Sequence, residues 1–249
     1  VVGAGIMGAS AAWHLASRGV SVVVVEQDVA PAMGSTGKSA AGVRVQFTTA
    51  ANIELSMYSL PVYREFQERH GHDVGYRDIG YLLLVPEEKW EGHLESVELQ
   101  RSLGAPVEVL SPAEAQRYVD FETDGLAGAT YGPWDGVIDP HMATLAWVTM
   151  GWALGVEYRF RAGVSAVDRK SDGWVVHCGD DTIHCGHIVN TAGAWSSQVG
   201  QLAGLDVPVG PKRIQIFLSA LVEDTRTYPL TIDLATGVYL RSEGDRGLF

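Results

Sequence analysis

Residues 1–27 read VVGAGIMGASAAWHLASRGVSVVVVEQ, and this stretch constrains the fold more than any other. Gly3, Gly5 and Gly8 form a G-x-G-x-x-G pattern, and behind it Ala9, Ala12, Trp13 and Ala16 recur at helical spacing. Gly19 follows as a helix stop. Residues 20–26 are then a β-branched run, too short for a helix of this apolarity and suited to a buried parallel strand. Strand, glycine turn, helix and strand make a βαβ unit, with Glu26 ending the second strand eighteen positions after Gly8. That is close to the separation of about 20 residues at which an acid meets a nucleotide ribose. Gly3 permits the tight turn, Gly5 lets backbone approach a diphosphate, and Gly8 lets the helix pack closely on the strand. The helix start at Ile6 and Met7 presents N–H groups and the positive end of its dipole to phosphate, and Glu26 with Gln27 receives the ribose. A carboxylate at that position repels a 2′-phosphate, which disfavours NADP. The bland alternative is a glycine turn in an α/β protein that binds no nucleotide.

Composition narrows the partners. A chain of 249 residues, 46% hydrophobic, can bury one large core or two modest ones. With 18 Lys+Arg against 30 Asp+Glu, a formal charge of −12, it lacks the basic face that a nucleic acid needs. No stretch approaches the roughly 18 apolar residues of a membrane span, and no signal peptide is visible, so a cytoplasmic location is expected. Cys178 and Cys185 lie in a hairpin, WVVHCGDDTIHCGHIV. If Asp180 and Asp181 form its loop, His177 faces His184, the cysteines fall out of register, and no disulfide is expected. The surrounding His and Cys residues lack the spacing of a structural zinc site, so no metal is expected. Val1 and Val2 read as the tail of a strand, and the last residues stop within a strand or turn, so the chain is read as a fragment of a longer one.

Residues 52–71 form a helix pattern interrupted by Pro61, and residues 75–88 read as a strand pair. A polar helix follows over residues 87–100. Ser111, Pro112 and Glu114 make a capping box. Residues 140–155 are an apolar helix, 156–170 antiparallel strands, and 187–204 a strand running through a glycine turn into a helix. Strands of parallel type thus come from opposite ends of the chain. The expected architecture is α/β: a Rossmann-like domain from residues 1–75 and 136–207, with a central parallel sheet and an antiparallel hairpin layer. An α+β substrate domain with an antiparallel sheet takes residues 76–135 and 208–249.

Three segments together resemble the flavin-dependent amine and amino-acid oxidases of the D-amino-acid oxidase, glycine oxidase and sarcosine oxidase family. They are the glycine motif with Glu26, GSTGKSAAGVR at residues 34–44, and IVNTAGAWS at residues 188–196. GVIDPHM and YLRSEG are similar too, so the resemblance spans nearly the whole chain. It implies FAD as the cofactor and a discontinuous cofactor site. That site draws on Ser35, Thr36, Lys38, Ser39, Ala41 and Gly42 from the second segment and on Ala192, Gly193 and Trp195 from the third, with Val164 beside them. Where some relatives carry a histidine covalently linked to flavin, this chain has Ser39, which cannot form that link. Family members continue beyond the last residue here.

The implied reaction is oxidation of a small amino acid or N-methyl amino acid to the imine, with electrons passing to O2 or another acceptor. Such a reaction asks the protein mainly to orient the substrate C–H bond, and a guanidinium is the best holder of its carboxylate. Arg44, Arg241 and Arg213 are the candidates, and Arg44 and Arg241 are preferred. Tyr81, Tyr239 and His141 are further pocket candidates, although lone aromatic and histidine residues more often serve packing. An oligomer is compatible with the sequence. Two rivals stay open: a nicotinamide-dependent dehydrogenase, and a non-catalytic or electron-passing subunit of a larger complex.

Overall fold

The valine run of residues 20–26 becomes the strand Val23–Val25, which pairs in parallel with Glu157–Arg159. On its other side Val2 bridges in parallel to both Val25 and Asn190. Strand segments from the beginning, middle and late part of the chain therefore meet in one layer. The computed structural model describes residues 1–221, 226–244 and 246–249. Within it the chain divides into two units: Val1–Ser39 with Asp139–Ile214, and Ala40–Ile138 with Gln215–Phe249.

In the first unit the glycine turn feeds the helix Ile6–Ala16, which packs on Pro140–Ala153 with the Trp13 and Trp147 rings 5.0 Å apart. Pro140 sits at the first helical position, where its missing N–H costs nothing, and Asp139 Oδ1 accepts from the His141 and Met142 N–H groups. Residues 157–159, expected among antiparallel strands, instead join the parallel layer, because the preceding helix carries the chain back before it re-enters the sheet. A second layer is antiparallel: Val164–Lys170, Gly173–Cys178 and Asp181–Cys185. Its tight loop is Gly179–Asp180 rather than Asp180–Asp181, because Gly179 takes the positive φ (+59°) that the first loop position favours. His177 consequently faces Thr182, Cys178 faces Asp181 and Cys185 faces Trp174, and both cysteines are free. Among the described residues no three His, Cys, Asp or Glu side chains gather to hold a metal ion.

The second unit is built on a six-stranded sheet in the order Arg246–Leu248, Tyr239–Glu243, Leu230–Asp233, Tyr81–Pro86, Leu126–Gly132, Glu108–Leu110. Its neighbours are antiparallel except Leu230–Asp233 beside Tyr81–Pro86. Only one strand forms where a pair was expected over 75–88. Gly75 and Gly80 adopt positive φ (+62° and +73°), leaving Arg77 with a single bridge to Val137. The helix Ala50–Arg64 runs through Pro61 and breaks at Glu65, before Phe66–His70. The capping box at Ser111 forms as the sequence predicts, each partner bonding the other's backbone.

Domain boundaries differ from the expected ones. Residues 40–75 belong to the second unit, because Ile53 and Leu60 from the Ala50–Arg64 helix pack with Val45, Val97, Ala105 and Val107 in one apolar cluster. Residues 136–138 also belong there, since Gly136–Val137 pairs with Gly42–Val43. Arg213 starts no strand; Pro208 and Pro211 interrupt that stretch, and among the described residues the next strand is Leu230–Asp233. No helix among the described residues is long and apolar enough to cross a membrane. Ile53 is fully buried in the cluster, so Ile53→Ala is expected to lower unfolding free energy by roughly 2–5 kcal/mol. A urea melt showing a change below about 1 kcal/mol would exclude this cluster as the second unit's core.

Candidate functional site

The first unit holds a cavity of about 530 Å³ against the glycine turn, lined by Gly3, Gly5, Glu26, Thr36, Ala192 and Trp195 among others. The glycines are required by space. Gly3 has φ +102°, and a Cβ there would sit 2.7 Å from the Thr191 carbonyl oxygen. A Cβ on Gly8 would fall 1.9 Å from the Gly3 oxygen and 2.8 Å from Thr191 Oγ1, so Gly8 lies behind the turn as a packing residue. Gly5 opens the helix with no side-chain cap, and the Ile6 N–H donates to Thr36 Oγ1 at 3.2 Å. The helix start thereby faces the cavity with small groups and positive dipole, the arrangement that suits an anion.

Glu26 has a second duty that the sequence does not reveal. Its Oε2 accepts from the Ala4 N–H at 2.7 Å and its Oε1 from the Asp28 N–H at 2.9 Å. The carboxylate therefore ties the glycine turn to the strand end, and each oxygen keeps a lone pair for a ribose hydroxyl in the cavity it lines.

Ile6, Met7, Gln27, Ser35 and Val164 line the same cavity, as does Gly193, whose φ of +54° suits glycine. Lys38 and Ser39 do not line it; both are exposed, and Ser39 Oγ donates to the Thr36 carbonyl at 2.8 Å. Ala41 and Gly42, expected at the cofactor, belong to the second unit. The Ala41 carbonyl accepts from the Ile138 N–H, and a Cβ on Gly42 would lie 1.4 Å from the Tyr81 hydroxyl oxygen. His141 packs against Gly37, where a Cβ would come 2.5 Å from its ring. Thr191 was missed: its Oγ1 donates to the Val2 carbonyl at 2.8 Å and also reaches the Gly3 carbonyl at 3.2 Å. The only signal was a hydroxyl residue just before the Ala192–Gly193 turn.

The second unit holds a separate cavity of about 390 Å³, lined by Arg44, Phe47, Ser56, Ser59, Tyr63 and Tyr81 with their neighbours. The Arg44 guanidinium lies 4.8 Å from the Phe47 ring centroid and 5.6 Å from that of Tyr81. Among the described residues no carboxylate forms an ion pair with it. Burial pushes the Tyr81 phenol up to about 12, so it stays a neutral donor. Arg241, the other expected clamp, is placed differently. It sits within Tyr239–Glu243, is 4% exposed, donates to the Ser242 carbonyl and pairs with Glu243, which also pairs with Arg77 at 3.0 Å. Burial lowers its pKa, with the Glu243 carboxylate opposing. Glu243 is thus shared between Arg241 and Arg77, and the buried Arg241 Nε has no hydrogen-bond partner among the described residues.

A family model described as FAD dependent oxidoreductase (DAO) matches residues 1–249. A curated relative, the mitochondrial dimethylglycine dehydrogenase of Rattus norvegicus, is 29% identical over 257 residues, covering 100% of this chain and 30% of the relative. The chain thus spans under a third of that protein's length. Among solved structures, L-proline dehydrogenase from P. horikoshii superposes with a TM-score of 0.87 at 24% identity, covering 99% of this chain and 67% of that one. Glycine oxidase from Geobacillus kaustophilus gives 0.84 at 24%, covering 99% and 68%. These structural likenesses establish the fold. The family match replaces the nicotinamide rival with FAD, and the relative's mitochondrial name lends no support to a cytoplasmic location. The cradle fits the group: the helix start without a side-chain cap at Gly5 and Ile6 lines the open cavity of about 530 Å³, and Glu26, lining the same cavity, keeps free acceptors. Glu26→Ala is expected to strip most FAD from the purified full-length protein, since charge-assisted hydrogen bonds are worth roughly 1.5–3 kcal/mol each. Flavin absorbance per polypeptide checks this, and undiminished content would remove Glu26 from the cofactor site. With glycine turn, strand-end acid and family match all running through the same residues, the chain belongs to the FAD dependent oxidoreductase family.

Proposed function

We propose that this chain provides the cofactor cradle and the carboxylate-holding arginine of an enzyme that oxidises a small amino acid or N-methyl amino acid to the imine. Electrons pass to O2 or another acceptor. The relatives support the substrate class: the matched proteins include ones named for dimethylglycine, L-proline and glycine, all small amino acids. The single observation that carries the reading is Arg44, a guanidinium resting on two aromatic rings without a carboxylate partner among the described residues. A cation placed over ring faces is held in position while its hydrogen-bonding edge stays available.

FAD, when bound, supplies the two-electron acceptor. The chain's own residues do the rest. The glycine turn, Glu26 and Thr36 hold the dinucleotide, and Arg44 binds the substrate carboxylate with the Tyr81 hydroxyl as a second donor. Among the described residues the other polar side chains lining the second cavity are Ser56, Ser59 and Tyr63.

In the full-length protein, Arg44→Ala is expected to reduce kcat/KM for sarcosine by about thirtyfold to a thousandfold, the value of a shielded bidentate pair worth roughly 2–4 kcal/mol. Turnover of N-methylethylamine, which has no carboxylate, should change by less than about threefold. Equal losses on both amines would show that Arg44 supports the fold instead.

A further inference from the structure

Beneath Arg44 the second unit buries a line of polar groups that its core does not need. Asp135 and Thr130 are fully buried and Gln46 is 4% exposed. Asp135 Oδ1 accepts from the Val45 N–H at 2.8 Å, and Oδ2 accepts from Gln46 Nε2 at 3.0 Å. Gln46 Nε2 also donates to the Tyr81 carbonyl at 3.2 Å, while Gln46 Oε1 accepts from the Thr130 hydroxyl at 2.8 Å. His93 Nε2 lies 2.9 Å from Thr130 Oγ1. The chemistry gives this line one direction. Two acceptors fix the Gln46 amide, the Thr130 proton is committed to Gln46, and His93 must therefore carry its proton on Nε2 and donate it. Apart from the Gln46 donation to the Tyr81 carbonyl, every donation runs towards the Asp135 carboxylate. The chain also keeps space for it: a Cβ on Gly132 would lie 2.1 Å from Asp135 Oδ2 and 2.7 Å from Gln46 Nε2.

A buried carboxylate is a poor way to stabilise a core, since well-packed apolar groups do as well or better. What this one does is tie together the two halves of the carboxylate holder. It grips the backbone at Val45, one residue from Arg44, and through Gln46 it grips the backbone of Tyr81. We propose that Asp135, acting through Gln46, is a positioning residue that sets Arg44 and Tyr81 for a substrate carboxylate. This rests on the reading of Arg44 given above.

The groups whose charge acts on Asp135 are Arg44, which favours its anion, and Asp78, which opposes it; the phenols of Tyr76, Tyr81 and Tyr131 are also electrostatically coupled to it. Burial is the largest influence and pushes the carboxyl up to about 6, against the hydrogen bonds from Gln46 and Val45. The sign for folding follows from a pKa raised above the unfolded value. Protonation adds stability that is fully present below about pH 4 and lost as pH rises through about 6. Carboxylate binding runs the other way, because protonated Asp135 gives up an acceptor that Val45 or Gln46 uses.

The test is binding of glycolate, ionised throughout pH 5–8, and of glycolamide to the full-length flavoprotein, read from the flavin absorbance change. Glycolate Kd is expected to rise about fivefold as pH falls from 8 to 5, with glycolamide flat. Asp135→Asn should weaken glycolate about tenfold at pH 8 and abolish the pH step, leaving flavin content and glycolamide binding unchanged. Thr130→Val, which cuts the line one member further out, should shift the step while retaining it, and it serves if Asp135→Asn does not fold. A step that persists in Asp135→Asn, or no step in the unmodified protein, overturns the proposal. If Arg44→Ala fails to separate glycolate from glycolamide, it is the reading of Arg44 that falls.

Discussion

The first unit depends on an approach between backbones that begins at Gly3 and Thr191. These residues are far apart in sequence, yet a Cβ at Gly3 would sit 2.7 Å from the Thr191 carbonyl oxygen. The Thr191 N–H and hydroxyl both bond to the Val2 carbonyl, at 3.0 and 2.8 Å. Glu26 completes the junction by holding Ala4. A steric overlap of this kind decides more than any hydrogen bond near it: a lost bond costs about 1 kcal/mol, whereas a methyl group 1.9 Å from the Gly3 oxygen cannot be accommodated without moving the helix. Since that helix start is also the anion-binding end, fold and cofactor site share one constraint.

This explains which parts of the molecule could be read from sequence. The glycine turn, the valine strand, the capping box at Ser111 and the helix after Pro140 are local devices, in which residue type and spacing carry the whole signal. Glu157–Arg159 was misread as antiparallel because three residues alone do not state their direction; only the packing of the preceding helix does. The boundary at residue 75 failed for a related reason. The Ala50–Arg64 helix has an apolar face, but the cluster it joins draws on Val97, Ala105 and Val107, and nothing local names that partner. Thr191, Gln46 and Asp135 stayed hidden because buried polar residues acquire meaning from partners distant in sequence, as with Val45 and Asp135, ninety positions apart.

The arginines show why net charge says little about a site. The chain carries −12, yet Arg44 and Arg241 live in opposite electrostatic settings within the same unit. Arg241 is buried and pairs with the partly exposed Glu243, which Arg77 also uses, a pairing whose Coulomb gain is set against the cost of desolvating the guanidinium. Arg44 instead rests on Phe47 and Tyr81, where ring quadrupoles hold a cation without consuming its donors. A guanidinium paired within its own fold has spent part of its donor set, whereas one held by ring faces keeps its hydrogen-bonding edge. The sequence presents both as arginines near strand residues and does not rank them.

Glycine placement ties these threads together. In the first unit Gly3 and Gly8 make room for backbone and a hydroxyl; in the second, Gly42 makes room for the Tyr81 hydroxyl and Gly132 for Asp135 and Gln46. Glycine in or beside a strand weakens it, by roughly 0.5–1 kcal/mol relative to alanine. Gly132 ends the strand Leu126–Gly132 and bears that cost where an alanine would displace a buried anion that itself costs stability at neutral pH. Two unfavourable choices that are mutually required at one place are hard to explain by stability, since changing both together would relieve both. They are explained if the polar line they preserve serves the cavity next to it, holding Arg44 and Tyr81 in register.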